Sequence, residues 1–284
     1  MAAPIKFGVG HSVRRKEDDA LIRGKGRYTD DVSPSPSMHA LMLRSPHAHA
    51  KFTINVTKAR GMPGVGAVLI ADDVRDLGDL PCLFNFEVDP FTGPPYPILA
   101  RDEVRHVGDS IAFVVADTID QARDALEAIE VNWTPLPAVV GLANAVKKGA
   151  PQVWSKHAGN VLFDVPIGDK KATDAAFAKA HAVAEVSIVN PRVITNFMET
   201  RAAVAEYDAK RDHLTLTIGS QGSHRLREII GGMVLKIPLE KMRGDLPRCR
   251  RRVRHEIVSV PRIRADLGRR EKAEKDDQVD RGPL

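Results

Sequence analysis

The sequence predicts an α+β fold in two domains, and three observations carry that prediction. Short apolar runs bounded by turn residues recur along the chain, as strands do. One of them passes through a capped amphipathic stretch into another such run within about 30 residues, as in a compact α/β unit. A chain of 284 residues with 43% apolar content can bury a sizeable core, and its length suits two domains.

From the start, Gly10 to Asp31 is polar and turn-rich, with Gly24, Gly26, Asp30 and Asp31 around Tyr28, and reads as irregular. Arg14, Arg15, Glu17 and Asp18 read as a solvated face. Met38 to Arg44 is a short buried strand through Ala40, Leu41, Met42 and Leu43, ended at Ser45-Pro46 because the residue before proline is pushed away from helix. Lys51 to Val56 is a second extended piece. Gly61, Pro63 and Gly64 force a turn into the strand Gly66 to Ile70, after which Asp72 or Asp73 can cap a short helix. Five prolines make Pro81 to Pro97 a long loop. Ser110 to Ala116 is an apolar strand, and Thr118 caps a helix with Ala122, Ala125, Leu126 and Ile129 on one stripe. Glu130 to Trp133 returns as a strand that Pro135 and Pro137 stop. Residues 138 to 158 are a connector. Beyond it, Asp174 to His181 has helical spacing, Ala182 to Val189 alternates as a strand, Ala202 to Tyr207 and Leu214 to Ile218 are two further strands, and Arg225 to Val234 is helical despite Gly231 and Gly232. No internal repeat is present.

Composition excludes several function classes. The only cysteines are Cys82 and Cys249, too few and too distant for a disulfide framework or a CxxC metal site; they read as structural thiols in a reducing compartment. No apolar run approaches the roughly 18 residues of a membrane span, and Met1 to Gly10 lacks the features of a secretory signal, so the expected location is the cytoplasm. The pI of about 9.2 invites a nucleic-acid reading, but the charge is local. Residues 244 to 284 hold 12 Lys/Arg against 8 Asp/Glu, so +4 of the total +5 sits there, and the body is essentially neutral. A basic arm through Arg250-Arg251-Arg252 is the competing reading of that tail. Its lack of aromatics and its Glu271, Glu274, Asp276 and Asp277 count against it.

Four motifs in order carry a resemblance. Val9-Gly10, Arg14, Glu17, Asp18, Leu21 and Gly24 to Asp31 come first, then Ser45-Pro46-His47-Ala48-His49-Ala50, then Val104 to Asp109, then Trp133 to Ala138. Together they resemble the large molybdopterin-binding subunit of the molybdenum hydroxylase family: xanthine dehydrogenase, aldehyde oxidase and aerobic carbon monoxide dehydrogenase. The resemblance implies an a/b hammerhead domain over residues 1–140. Gly159-Asn160-Val161, Gly168-Asp169, Met198-Glu199-Thr200-Arg201 and Gly219 to His224 are similar to the start of the family's first molybdopterin-binding domain, here 155–243 and incomplete. Thr200 stands where the family has proline.

What the resemblance implies for site residues is narrow. Gln221 matches a glutamine whose amide binds the molybdenum-pterin cofactor, a role suited to a neutral group that both donates and accepts, and Gly222 adjoins it. No catalytic residue and no metal ligand is expected in this chain, because the family's glutamate base and the segment around the metal lie farther along. His47 and His49 would share a face on a strand, but with no third ligand nearby they read as structural. Glu199 and Arg201 read as an ion pair or turn contact.

For the whole subunit, the resemblance implies oxidation of an aldehyde, N-heterocycle or carbon monoxide at a molybdenum-pterin cofactor in its cytosine dinucleotide form. Copper is added in the carbon monoxide branch, and electrons leave through [2Fe-2S] and flavin-binding subunits. This chain is then expected to be a truncated large subunit, inactive alone and without stably bound cofactor. The alternatives are the amino-terminal piece of a split subunit that a second chain completes, and a non-catalytic binding or assembly module. A truncated second domain would expose sheet edges and apolar surface, which predicts poor solubility.

Residues 244–284 are expected to be a frame-shifted, disordered basic tail. Past Arg243 the family has a glycine-rich stretch, whereas this chain has Asp245 to Arg252. Shifting plausible codons for Arg248 to Leu284 by one base yields a string with GGGFG, PEYAL and WTE segments like the family's continuation. Sequencing the gene tests this reading.

Overall fold

The computed structural model describes residues 15–32, 34–81, 93–94, 96–162, 164–190, 201–220 and 222–246. Outside them lie Val9-Gly10, Arg14, both cysteines, most of the proline-rich stretch, Met198 to Thr200, Gln221, and the tail from Pro247. The architecture is α+β, with the described residues falling into two compact units. The first lies within Met1–Pro81, Pro95–Leu136 and Arg201–Leu284, the second within Cys82–Pro94 and Pro137–Thr200.

In the first unit, helix α1 (Asp18–Ile22) buries nothing, as a solvated face should. The first sheet is built on β1 (His39–Arg44), β3 (Val65–Ile70) and β5 (Ser110–Ala116), in the order β1-β5-β3 with all pairings antiparallel. The central strand β5 is buried from Ile111 to Ala116, which is why its sequence is a continuous apolar run rather than an alternation. One face of it, Ala112, Val114 and Ala116, packs with Ala122 and Ala125 of the helix that follows; Phe113 and Val115 of the other face pack with Ala40. Small residues on both partners let helix and sheet approach closely, and each larger side chain removed from water stabilises by about 1.5–3 kcal/mol.

The second sheet has the order β4-β2-β6, from β2 (Ala50–Asn55), β4 (Glu103–Val104) and β6 (Glu130–Pro135). The strand β6 ends at Pro135, its last residue, which is tolerated in the ladder because β6 is an edge strand. Between these strands lie α2 (Thr57–Arg60) and α3 (Ile119–Glu127). Thr118 caps α3 as expected, accepting from the Gln121 N–H at 3.2 Å while Gln121 Oε1 accepts from the Thr118 N–H at 3.0 Å. The β5–α3–β6 unit therefore crosses from one sheet to the other. Asp73 acts as anticipated, its carboxylate accepting from the Ile70 N–H at 2.8 Å to start the turn Ala71–Val74.

The third sheet, β7 (Ala203–Asp208), β8 (His213–Ile218) and β9 (Met242–Asp245), has β8 antiparallel to β7 and parallel to β9. It shares one apolar cluster with the earlier part of the unit: Leu214, Leu216, Ile230, Val234 and Met242 pack with Val74, Ile98 and Leu99. Gly78 seals that seam. Its N–H donates to the Val234 carbonyl at 2.8 Å, and a Cβ there would collide with the Met233 carbonyl oxygen.

The second unit contains α4 (Leu142–Ala145) and α5 (Lys170–Ala178). It is held by polar contacts around Asn160, in the left-handed region at φ 55°. Asn160 Oδ1 accepts from the Val153 N–H at 2.8 Å, and its Nδ2 donates to the carbonyls of Ala145 and Pro151, both at 2.9 Å. Helix α5 starts four residues before the expected position because Asp169 caps it, accepting from the Ala172 N–H at 2.9 Å. The strand expected at Ala182 to Val189 is not formed. Those residues are exposed and irregular, since no neighbouring strand pairs with their backbone among the described residues. No helix among the described residues is long and apolar enough to cross a membrane.

Candidate functional site

The carboxyl ends of the two parallel strands, β8 and β9, lie side by side, with Thr217 opposite Asp245. Ligand sites in sheets with parallel strands favour such ends, where loops and helix starts converge. The chain leaves β8 through Gly219 and Ser220, passes Gln221, and enters α6 (Ser223–Arg227) at Gly222. Helix α6 runs on into a π-helical stretch, Glu228–Val234, anchored by buried Leu226, Ile229 and Ile230. The glycines inside that stretch have a packing reason. A Cβ on Gly231 would lie 3.0 Å from Met242 Sδ, and one on Gly232 would lie 3.4 Å from Leu239 Cδ2.

Gly244 on β9 fits beneath the first turn of α6, where a Cβ would come within 3.2 Å of the Ser223 carbonyl oxygen. Gly244 of β9 and Gly78 thus fix where α6 and the π-helical stretch after it sit. Neither Gly78 nor Gly244 is legible as special in the sequence, because a lone glycine carries no signal of what approaches it.

At Gly222 the loop leaves space. Among the described residues a Cβ at Gly222 would meet nothing within 4 Å, and its φ of −176° is ordinary extended backbone, so their packing does not require glycine here. The Gly222 N–H lies 3.5 Å from Ser220 Oγ, too long to hold it firmly. Among the described residues no side chain caps α6. Nearby in sequence, Arg227 Nε is buried without a hydrogen-bond partner among the described residues. Backbone donors on a glycine that leaves room for close approach suit the heteroatom-rich edge of a pterin. Of the two predicted cofactor-binding residues, Gly222 therefore lies where this loop leaves space, and Gln221 lies outside the described residues.

The two histidines of the sequence candidates make contacts within the chain. His47 and His49 do not share a strand, since both precede β2. The His47 ring packs on Trp133 with centroids 5.0 Å apart, and His49 Nε2 lies 2.8 Å from Glu103 Oε1, whose other oxygen is 3.3 Å from Arg105. Their motif interlocks with the Val104 to Asp109 motif: the Ser45 N–H donates to the Asp109 carbonyl and the Gly108 N–H to the Ser45 carbonyl, each at 2.8 Å. Burial, reinforced by the Asp109 carboxylate and opposed by Arg44, raises the pKa of the nearby Tyr96 phenol. Among the described residues no group of three or more His, Cys, Asp or Glu could hold a metal ion. Of the Glu199 and Arg201 pair, only Arg201 is described.

Residues 23–137 match the family described as aldehyde oxidase and xanthine dehydrogenase, a/b hammerhead domain, and residues 153–249 match the molybdopterin cofactor-binding domain. The chain is 34% identical over 254 residues to the carbon monoxide dehydrogenase large chain of Afipia carboxidovorans, covering 84% of this chain and 30% of that one. It is 35% identical over 241 residues to the corresponding chain of Hydrogenophaga pseudoflava, covering 80% and 29%. Among solved structures, quinoline 2-oxidoreductase from Pseudomonas putida 86 superposes with a TM-score of 0.73 at 34% identity, over 83% of this chain and 30% of that one. The chain spans about 30% of the length of these relatives. It belongs to the aldehyde oxidase and xanthine dehydrogenase family, and it corresponds to the amino-terminal part of that family's molybdopterin-binding large subunit.

Proposed function

We propose that this chain supplies one edge of a molybdenum-pterin site in a large oxidoreductase subunit and does not turn over alone. The observation that carries the reading is the space at Gly222 in the β8–α6 loop, within the residues that match the molybdopterin cofactor-binding domain. When bound, the cofactor would supply the redox chemistry that oxidises an aldehyde, an N-heterocycle or carbon monoxide. The chain's own part is binding and orientation: Gln221 would offer its amide to the cofactor, Gly222 its N–H and the space for close approach, and the buried core beneath α6 would hold both in place. No residue of this chain is assigned to proton or hydride transfer.

The form we propose is the cytosine dinucleotide, the location is the cytoplasm, and the companions are [2Fe-2S] and flavin-binding subunits. That relatives are named as large chains and large subunits supports companion subunits in general. The domain limits we propose are 1–140, 155–243 and a frame-shifted 244–284. In support of the last, the molybdopterin match ends at Cys249, one residue after the alternative reading begins.

The test is the molybdenum content of the chain from a cofactor-producing host, alone and with any product of the adjacent downstream gene. Near-equimolar metal in the completed pair is the expected result, and none in any combination would contradict the reading. Gly222→Ala sharpens it. With open space around the Cβ, stability should shift by no more than about 0.5 kcal/mol. Molybdenum retention by the completed subunit should fall, because the methyl group would stand where the cofactor approaches.

A further inference from the structure

The helix that leaves the β8–α6 loop is wound in two ways. From Ser223 to Arg227 it is α-helical, and from Glu228 to Val234 it is π-helical, so that the Leu235 N–H donates to the Ile230 carbonyl, five residues back, at 2.8 Å. Just past the end, the Ile237 N–H reaches the Gly231 carbonyl at 3.0 Å. Runs of π-helix are rare and are frequent at functional sites, so this one needs something that holds it.

What meets its last turn comes from far back in the sequence. The Gly78 N–H donates to the Val234 carbonyl at 2.8 Å, and Lys236 Nζ donates to the Asp76 carbonyl at 3.0 Å. Lys236 makes that bond from φ 54°, in the left-handed region, which is costly for a residue with a Cβ. Gly78 approaches the Met233 carbonyl oxygen so closely that a side chain would not fit. Between them, Leu77 packs on the cluster that contains Ile230 and Val234. One end of the helix is therefore gripped by this turn, while the other rests on Gly244 beneath Ser223 and carries Gly222.

We infer that the turn Asp76–Gly78 holds residues 228–234 in their π register and so sets which way the Gly222 loop faces, with Gly78 and Lys236 as positioning residues. Successive residues of an α-helix are ~100° apart about its axis. Rewinding the stretch as α-helix against a fixed far end would therefore turn α6 by about that angle for each residue taken up, move Ser223 off Gly244 and redirect Gly222. The inference rests on the function proposed above for what the loop holds, whereas the winding belongs to the chain itself.

The test reads two hydrogen bonds in the chain by nuclear magnetic resonance: Leu235 to Ile230, and the Leu226 N–H to the Gly222 carbonyl, 3.2 Å long. In the natural chain the Leu235 nitrogen should couple across its hydrogen bond to the Ile230 carbonyl carbon, and in Gly78→Ala to that of Gly231. Amide exchange is compared with Thr118→Ala, a loss of stability elsewhere in the same unit, at urea concentrations that equalise global stability. Against that control, Gly78→Ala should speed exchange of Leu226 and Leu235 on the order of 10-fold. Lys236→Met should speed both by roughly 3-fold, and Lys236→Arg should restore them. Lys236 is exposed, so its variants decide the matter if Gly78→Ala does not fold.

A natural chain in which Leu235 couples to Gly231, or equal exchange in all variants at equal stability, would overturn the inference. So would faster exchange at Leu235 with Leu226 unmoved, which would reduce Gly78 and Lys236 to a local helix cap. Molybdenum separates the two proposals. Linked changes at Leu235 and Leu226 with no molybdenum bound in any preparation keep the positioning role and count against the cofactor reading, whereas bound molybdenum with Leu226 indifferent to both residues does the reverse.

Discussion

The two units of this molecule have comparable access to apolar residues and use them in opposite ways. In the first, β5 is covered on both faces and flanked by strands on both edges, and four buried clusters account for the core. In the second, Asn160 gathers backbone groups through hydrogen bonds while Val140, Phe177 and Ile188 remain exposed. The difference lies in closure rather than composition. An apolar side chain stabilises only when something covers it, and a net hydrogen bond contributes about 0.5–1.5 kcal/mol against the entropy of ordering the segment. The first unit is therefore expected to be a co-operative folding unit and the second a segment whose order depends on an added surface.

The sharpest way to break that comparison is a matched pair of truncations. Phe113→Ala empties a site in β5 that is 2% exposed and should cost about 3–5 kcal/mol in urea unfolding. Phe177→Ala, on the exposed α5, should change stability by no more than about 0.5 kcal/mol. Similar losses in the two variants would mean that the second unit has a core of its own. Gly78→Ala comes next. Its Cβ would meet the Met233 carbonyl, and relieving that overlap should cost about 1–3 kcal/mol. A single unfolding transition shifted as a whole would show that the hammerhead part and the β7-β8-β9 sheet unfold together; two transitions would show that they do not. Thr118→Ala removes the cap of α3 and should cost about 1 kcal/mol in the same assay.

Much of the first unit was legible in the sequence, because local signals and tertiary demands agree there. The apolar run 110–116, Thr118 and the alanine stripe each say the same thing about β5 and α3, and the structure repeats it. Strands β4 and β9 were not legible: two and four residues long, they owe their existence to neighbours distant in sequence. The alternation at 182–189 predicts a strand that the structure does not form, because a pattern specifies a face and not the partner that must cover it. The candidate site was half legible for a related reason. Gly222 is proposed through the motif around it, whereas Gly244, which packs under α6, announces itself only in the structure, where the Ser223 carbonyl oxygen lies 3.2 Å from where its Cβ would be.

The smallest effect concerns how β9 is tied to the sheet. Lys241, just before β9, pairs with Asp212 in the β7–β8 turn at 2.5 Å, and the Tyr207 hydroxyl donates to the same carboxylate at 2.6 Å. The hydrogen bond and then the charge of Asp212 raise the lysine's pKa above its ordinary 10.5. A raised pKa means that the folded state favours the ammonium, so the contribution is fully present below the unfolded-state value and is lost as pH climbs through the folded-state one. The pair is solvent-exposed and screened, so the effect should be slight and should fade further in salt. The measurement is the gap in melting temperature between the natural chain and Lys241→Met at pH 8 and again above pH 11. A gap that closes at the higher pH assigns the ion pair a part in holding β9. A gap that persists would mean that the lysine's methylene chain, and not its charge, makes the contact that helps to hold β9.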